Sequence, residues 1–132
     1  MIAFDTCILV RFLAEDDQAQ ADLAESLMAD NTIFLPLTVL LETEWVLRSR
    51  YRKKRAELLD FFRLLLDVEN VVLEDADRFE KALQWYATGA DFADAMHLAA
   101  CTGTVLHTFD RNFCKQARES GLTPDIKILT PG

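Results

Sequence analysis

The chain has 132 residues, 51% of them hydrophobic, and a formal charge of −8. That length predicts a single domain over residues 1–132, with a core that needs neither disulfides nor metal staples. The acidity excludes a surface that attracts nucleic acid over its whole extent. Three widely spaced cysteines, Cys7, Cys101 and Cys114, form no Cys-x-x-Cys pair and read as free thiols in a reducing cytoplasm. The opening Met-Ile-Ala-Phe-Asp, with Arg11 breaking the next apolar run, reads as neither a signal peptide nor a membrane span.

In chain order, Ile2–Phe4 reads as a buried strand, and Asp5-Thr6 caps a helix through Leu13. Glu15-Asp16-Asp17 opens a helix from Gln18 to Ala29, with Leu23, Ala24, Leu27 and Met28 on its apolar face. Thr32–Pro36 is a second strand, closed by its proline. Thr38 caps a helix to about Tyr51, whose core contacts are Val39, Leu40, Trp45, Val46 and Leu47, with Glu42 and Glu44 among them. Glu57–Asp67 is a helix with apolar residues over most of its circumference, either core or a surface for a partner chain. Val71–Leu73 is a third strand, and Asp75 or Asp77 starts a helix to about Thr88. An Ala-rich helix from about Phe92 to Cys101 carries Asp91 at its N-cap and Asp94 in its first turn. Thr104–Phe109 is a fourth strand, and Asp110 ends it and caps a helix that Gly121 stops. Ile126–Leu129 is the last strand. Strands alternating with helices predict an α/β fold with a parallel sheet between layers of helices.

Asp5 and Asp110 both fall just past the carboxyl end of a strand, where open parallel sheets form their ligand crevice. Asp94 and Glu42, each about one turn into a helix, can join them there, with Asp91 as a candidate fifth acid. Clustered carboxylates repel one another at a cost of several kcal/mol, which a hard divalent cation relieves. Mg²⁺ or Mn²⁺ suits such a site, and water activated by the ion would attack a phosphodiester. Taken singly, Asp5, Asp91 and Asp110 are also ordinary helix caps, each worth about 1 kcal/mol. Glu42 has no cap to make, so capping explains it poorly.

The acidic chain has one basic stretch, Arg48, Arg50, Arg52, Lys53, Lys54 and Arg55, which holds six of its 14 Lys and Arg residues. It is either a substrate-phosphate contact or a solvated helix end whose cations complement the dipole. His97 and His107 have no zinc-like spacing and read as packing or edge residues. Cys101 and Cys114 read as core fillers. No Gly-x-x-x-x-Gly-Lys, Gly-x-Gly-x-x-Gly or Gly-x-Ser-x-Gly motif occurs, which argues against P-loop, Rossmann and serine-hydrolase chemistry.

The order Asp5-Thr6, then Glu42 in Leu-Thr-Val-Leu-Leu-Glu-Thr-Glu-Trp-Val-Leu, then Ala-Asp-Phe-Ala-Asp-Ala-Met-His-Leu-Ala-Ala, then Thr108-Phe109-Asp110, resembles a PIN-domain ribonuclease. The nearest likeness is the VapC-type toxin of a toxin–antitoxin pair. The resemblance implies a PIN-like three-layer α/β/α sandwich with a small central parallel sheet. It implies a type II toxin that hydrolyses RNA with Mg²⁺, or with Mn²⁺ in its place. Asp5 and Asp94 would be the principal metal ligands and Asp110 would complete the set. Glu42 would orient the water, and Thr6 or Thr108 would hydrogen-bond the acids. Asp91 would be either a ligand or only a cap. The implied partners are RNA, a small antitoxin and a second copy of the chain, with DNA reached only through the antitoxin and no membrane. Cys7 departs from the family, which often carries Asn or Ser there, so the hydrogen bonds an Asn would give are lost. Two rival readings differ in class. One is an antitoxin-bound subunit of a DNA-binding regulatory complex with little or no nuclease activity. The other is a phospho-acceptor receiver domain, which expects paired acids after the first strand, where Asp5 stands alone.

Overall fold

A computed structural model describes residues 1–14, 16–123 and 125–132. The chain divides into two compact units, Met1–Ala76 and Asp77–Gly132.

The first unit runs β1 (Ile2–Ala3), α1 (Thr6–Ala14), α2 (Gln18–Asp30), β2 (Ile33–Leu35), α3 (Leu37–Ser49), α4 (Arg55–Asp67) and β3 (Val71–Leu73). Its strands form one parallel sheet in the order β1-β2-β3, with Ile2 opposite Ile33, and Leu35 opposite Leu73. Parallel neighbours cannot be joined by a tight turn, so a helix pair crosses over between each two strands. Central β2 buries Ile33 and Leu35 completely. Phe4, at the end of β1, is buried and stacks on Phe12 of α1 at 6.1 Å.

Several expectations shift at element ends and faces. Asp17 is the N-cap of α2 and its Oδ1 accepts the Gln20 N–H at 3.0 Å. Glu15, expected to help open that helix, lies outside the described residues. The buried face of α2 is Ala21 and Ala24, while Leu23 is exposed. Small side chains let the helix approach closely, and Leu23 falls outside the contact stripe. α3 starts at Leu37 with extended Pro36 at its N-cap, so Thr38 lies inside the first turn and is not the cap. The free Leu37 N–H is met instead by Glu74 Oε1 at 3.1 Å.

The inward stripe of α3 is Leu40, Thr43, Glu44 and Leu47. Trp45, expected in the core, is 51% exposed because it stands one position, about 100°, past that stripe. Glu44 is 2% exposed, and its Oε2 accepts from Arg48 Nε at 2.8 Å. α4 resolves its own ambiguity mostly toward core: Leu58, Leu59, Phe61, Phe62 and Leu65 are buried and Leu64 is exposed.

The second unit runs α5 (Ala76–Ala87), α6 (Phe92–Ala100), β4 (Leu106–Thr108), α7 (Lys115–Glu119) and β5 (Ile126–Ile128). β4 and β5 pair in parallel, with Leu106 opposite Ile126 and Thr108 opposite Ile128. The fold is therefore α/β with small all-parallel ladders, as the alternation of elements predicts. Trp85, Ala95, Leu98, Ala99, Phe113 and Cys114 belong to one buried cluster. Phe92 stands edge-on to Tyr86 and Phe79, at 5.2 and 6.3 Å. Cys114 is a core filler as expected, whereas Cys101 is only half-buried, at the C-cap of α6. His97 and His107 are both exposed, so neither packs. Among the described residues, no helix is long and apolar enough to cross a membrane.

Candidate metal and nucleic-acid site

In the first unit, β1 delivers Asp5 to the mouth of α1. Its Oδ1 accepts the Thr6 N–H at 2.7 Å, and the Cys7 thiol lies 3.9 Å from Oδ2. The departure at Cys7 thus leaves a weak sulfur contact where an Asn would give a normal hydrogen bond. Thr6 serves Asp5 through its backbone. Its hydroxyl is buried and has no hydrogen-bond partner among the described residues. Asp5, Thr6 and Glu42 line one cavity of about 310 Å³, together with Trp45, Arg50 and Tyr51. Glu42 is exposed on the outer side of α3, off the stripe that carries Glu44 inward. Arg11 pairs with Asp16, and the Tyr51 hydroxyl donates to Asp16 Oδ2 at 2.8 Å. That hydrogen bond and the Arg11 charge hold the Asp16 carboxyl below its ordinary range.

In the second unit, Asp91 caps α6 as expected, with Oδ2 accepting the Asp94 N–H at 3.1 Å. Asp110 departs from its expected role. It closes a turn, its Oδ1 accepting the Asn112 N–H at 2.8 Å, and α7 begins only at Lys115 behind Cys114. Cys114 has a φ of +46°, and this left-handed residue interrupts the helix that the spacing predicts from Asp110 onward. Thr108 Oγ1 accepts the Asp110 N–H at 3.0 Å, so it holds the backbone of Asp110 rather than its carboxylate. Asp91, Asp94 and Asp110 line a second cavity of about 510 Å³ with Lys115 and Gln116. Burial, then the charges of Asp91 and Asp110, raise the Asp94 carboxyl above its ordinary range.

The basic stretch divides by role. Arg48 is tied to buried Glu44, and Arg50 lines the cavity of Asp5 and Glu42. Arg52, Lys53 and Lys54 form the link into α4, and Arg55 opens that helix. Cations complement the C-terminus of α3 but not the N-terminus of α4, so the dipole explanation covers only the first half of the stretch. Sequence reading missed Glu44 as a buried ion-pair partner. The stripe Leu40, Thr43, Glu44, Leu47 at helical spacing is the signal that finds it.

Among the described residues no group of three or more His, Cys, Asp or Glu side chains stands ready to enclose a metal ion. The donors nonetheless suit a hard cation, since each cavity offers carboxylate oxygens.

A comparison with protein-family models matches the PIN domain over residues 2–119. The chain belongs to the PIN-domain family. A comparison with curated proteins returns no match. PIN domains are in general nucleases, and those nucleases typically use divalent metals. In this PIN domain the residues matched include all of Asp5, Glu42, Asp91, Asp94 and Asp110.

Proposed function

We propose that this PIN domain is a Mg²⁺-dependent RNA endonuclease, with Mn²⁺ able to replace Mg²⁺, and that it acts as the toxin of a type II toxin–antitoxin pair. The observation that carries the reading is Asp94. Its carboxyl is raised by burial and by two neighbouring aspartates, and none of the three forms an ion pair with Lys or Arg among the described residues. Such a group is stabilised by a cation from outside the chain.

Asp5, Asp94 and Asp110 would hold the ion, and both units together would make one PIN domain. A bound divalent cation supplies charge neutralisation at the phosphate and lowers the pKa of an attacking water. Glu42, exposed in the cavity of Asp5, would orient that water, and the Thr6 N–H keeps Asp5 in place. Arg50, Arg52, Lys53, Lys54 and Arg55 would meet the phosphates of RNA on an otherwise acidic body. The reading extends to a small antitoxin protein as inhibitor, a homodimer as the working form, DNA contact only through the antitoxin, and action in the cytoplasm.

The test is RNA digestion by the purified chain with Mg²⁺, with chelator, and with Asp5→Asn and Asp94→Asn. Cleavage that stops on chelation and in both variants, with circular dichroism unchanged, is expected. Cleavage that survives either substitution contradicts the assignment.

A further inference from the structure

We propose that Trp45 is a nucleobase-stacking platform, so that the substrate is a single-stranded RNA segment with one base laid on the indole and its phosphate beside Arg50. The inference rests on the nuclease reading for what happens next to the platform, but not for the binding itself. Four observations converge. Trp45 is 51% exposed on a helix whose core stripe excludes it. It lines the same cavity as Asp5 and Glu42. The Arg50 guanidinium lies over one face of the ring, 6.0 Å from its centroid, so a base stacks on the other face, and among the described residues Arg50 pairs with no carboxylate. The backbone under the pair is fixed, as the Arg50 N–H donates to Val46 O at 2.9 Å and Ser49 Oγ donates to Trp45 O at 2.6 Å. The helix end that presents the pair is therefore formed before any ligand arrives.

An aromatic face with an adjacent guanidinium is the pairing that single-stranded nucleic acid uses: bases stack regardless of identity and the cation meets the phosphate. A duplex keeps its bases stacked on each other and offers none to the ring. An apolar protein segment fits less well, because it would desolvate the carboxylates of Asp5 and Glu42 and the Arg50 guanidinium without offering any of them a charged partner. The platform binds by stacking and sets which nucleotide lies next to the acids. It takes no part in bond breaking.

Fluorescence of the full chain in chelator tests this without cleavage. Trp85, the other tryptophan, is 4% exposed and bonded to Leu122 O, so a surface quencher reports on Trp45. A single-stranded oligoribonucleotide is expected to quench the emission, and the same sequence in a duplex, or in Trp45→Phe, is not. With Mg²⁺, Trp45→Ala is expected to raise KM about tenfold with kcat retained, and Trp45→Phe to restore KM. Absent quenching, or an unchanged KM in Trp45→Ala, overturns the platform. So does loss of self-association in Trp45→Ala with RNA binding intact, which makes the ring a protein contact. Should Trp45→Ala fail to fold, Trp45→Phe and an oligonucleotide with an abasic site at successive positions decide. Quenching without any metal-dependent cleavage would sink the nuclease reading and leave the platform standing. Asp5-dependent cleavage without quenching would do the reverse.

Discussion

Asp94 and Glu44 are both acids on helices of alternating apolar character, yet their surroundings give them opposite needs. Glu44 is buried with Arg48 as its partner, so its charge is satisfied inside the chain. Removing the guanidinium leaves a buried carboxylate under-satisfied, at about 1–3 kcal/mol. Arg48→Met is expected to lower unfolding stability by that amount in urea titrations, and to leave RNA affinity close to that of the parent protein. Asp94 has acid neighbours instead, and its carboxyl is raised above the ordinary 3.8. A carboxyl raised in the folded state favours folding most when protonated, and that contribution is lost as pH rises through the raised value. Measured in chelator against Asp94→Asn, the parent protein is therefore expected to lose thermal stability relative to the variant as pH climbs above 3.8 toward neutrality. Added Mn²⁺ is expected to reverse the loss. A constant difference across the range would mean that Asp94 is not strained by its neighbours.

At the scale of elements, the order of strands and helices was legible because each has a clear period, and the caps Asp17 and Asp91 stood where side-chain chemistry puts them. What the residues hid was rotation and interruption. Trp45 is the most hydrophobic-looking residue of its turn, yet a shift of one position turns it to solvent and brings Thr43 and Glu44 inward. The spacing after Asp110 fits a helix, but the left-handed Cys114 confines α7 to Lys115–Glu119. Gly89, which opens the Asp91 segment, is legible only afterwards. Its φ is +108°, and an added Cβ would lie 2.0 Å from Gln116 Oε1. The Gln116 side chain can move aside, but the backbone strain stays. Gly89→Ala is expected to cost about 1–2 kcal/mol by denaturant unfolding. A neutral result would mean that the turn relaxes to negative φ.

For the whole molecule, the four acids selected from the sequence come from both compact units: Asp5 and Glu42 from the first, Asp94 and Asp110 from the second. The family match runs across both. Composition could not reveal this, because a net charge of −8 is equally that of a solvated acidic surface. The structure adds the placement of Asp5 in one cavity with Glu42, and of Asp94 in another with Asp91 and Asp110.

Calorimetric titration of Mn²⁺ into the parent chain, Asp5→Asn, Asp94→Asn and the double variant tests the central claim most directly. If these acids are metal ligands, Asp5→Asn and Asp94→Asn each weaken Mn²⁺ binding, and the double variant binds no more tightly than either single. If neither substitution changes the titration, these carboxylates are not metal ligands and the account fails.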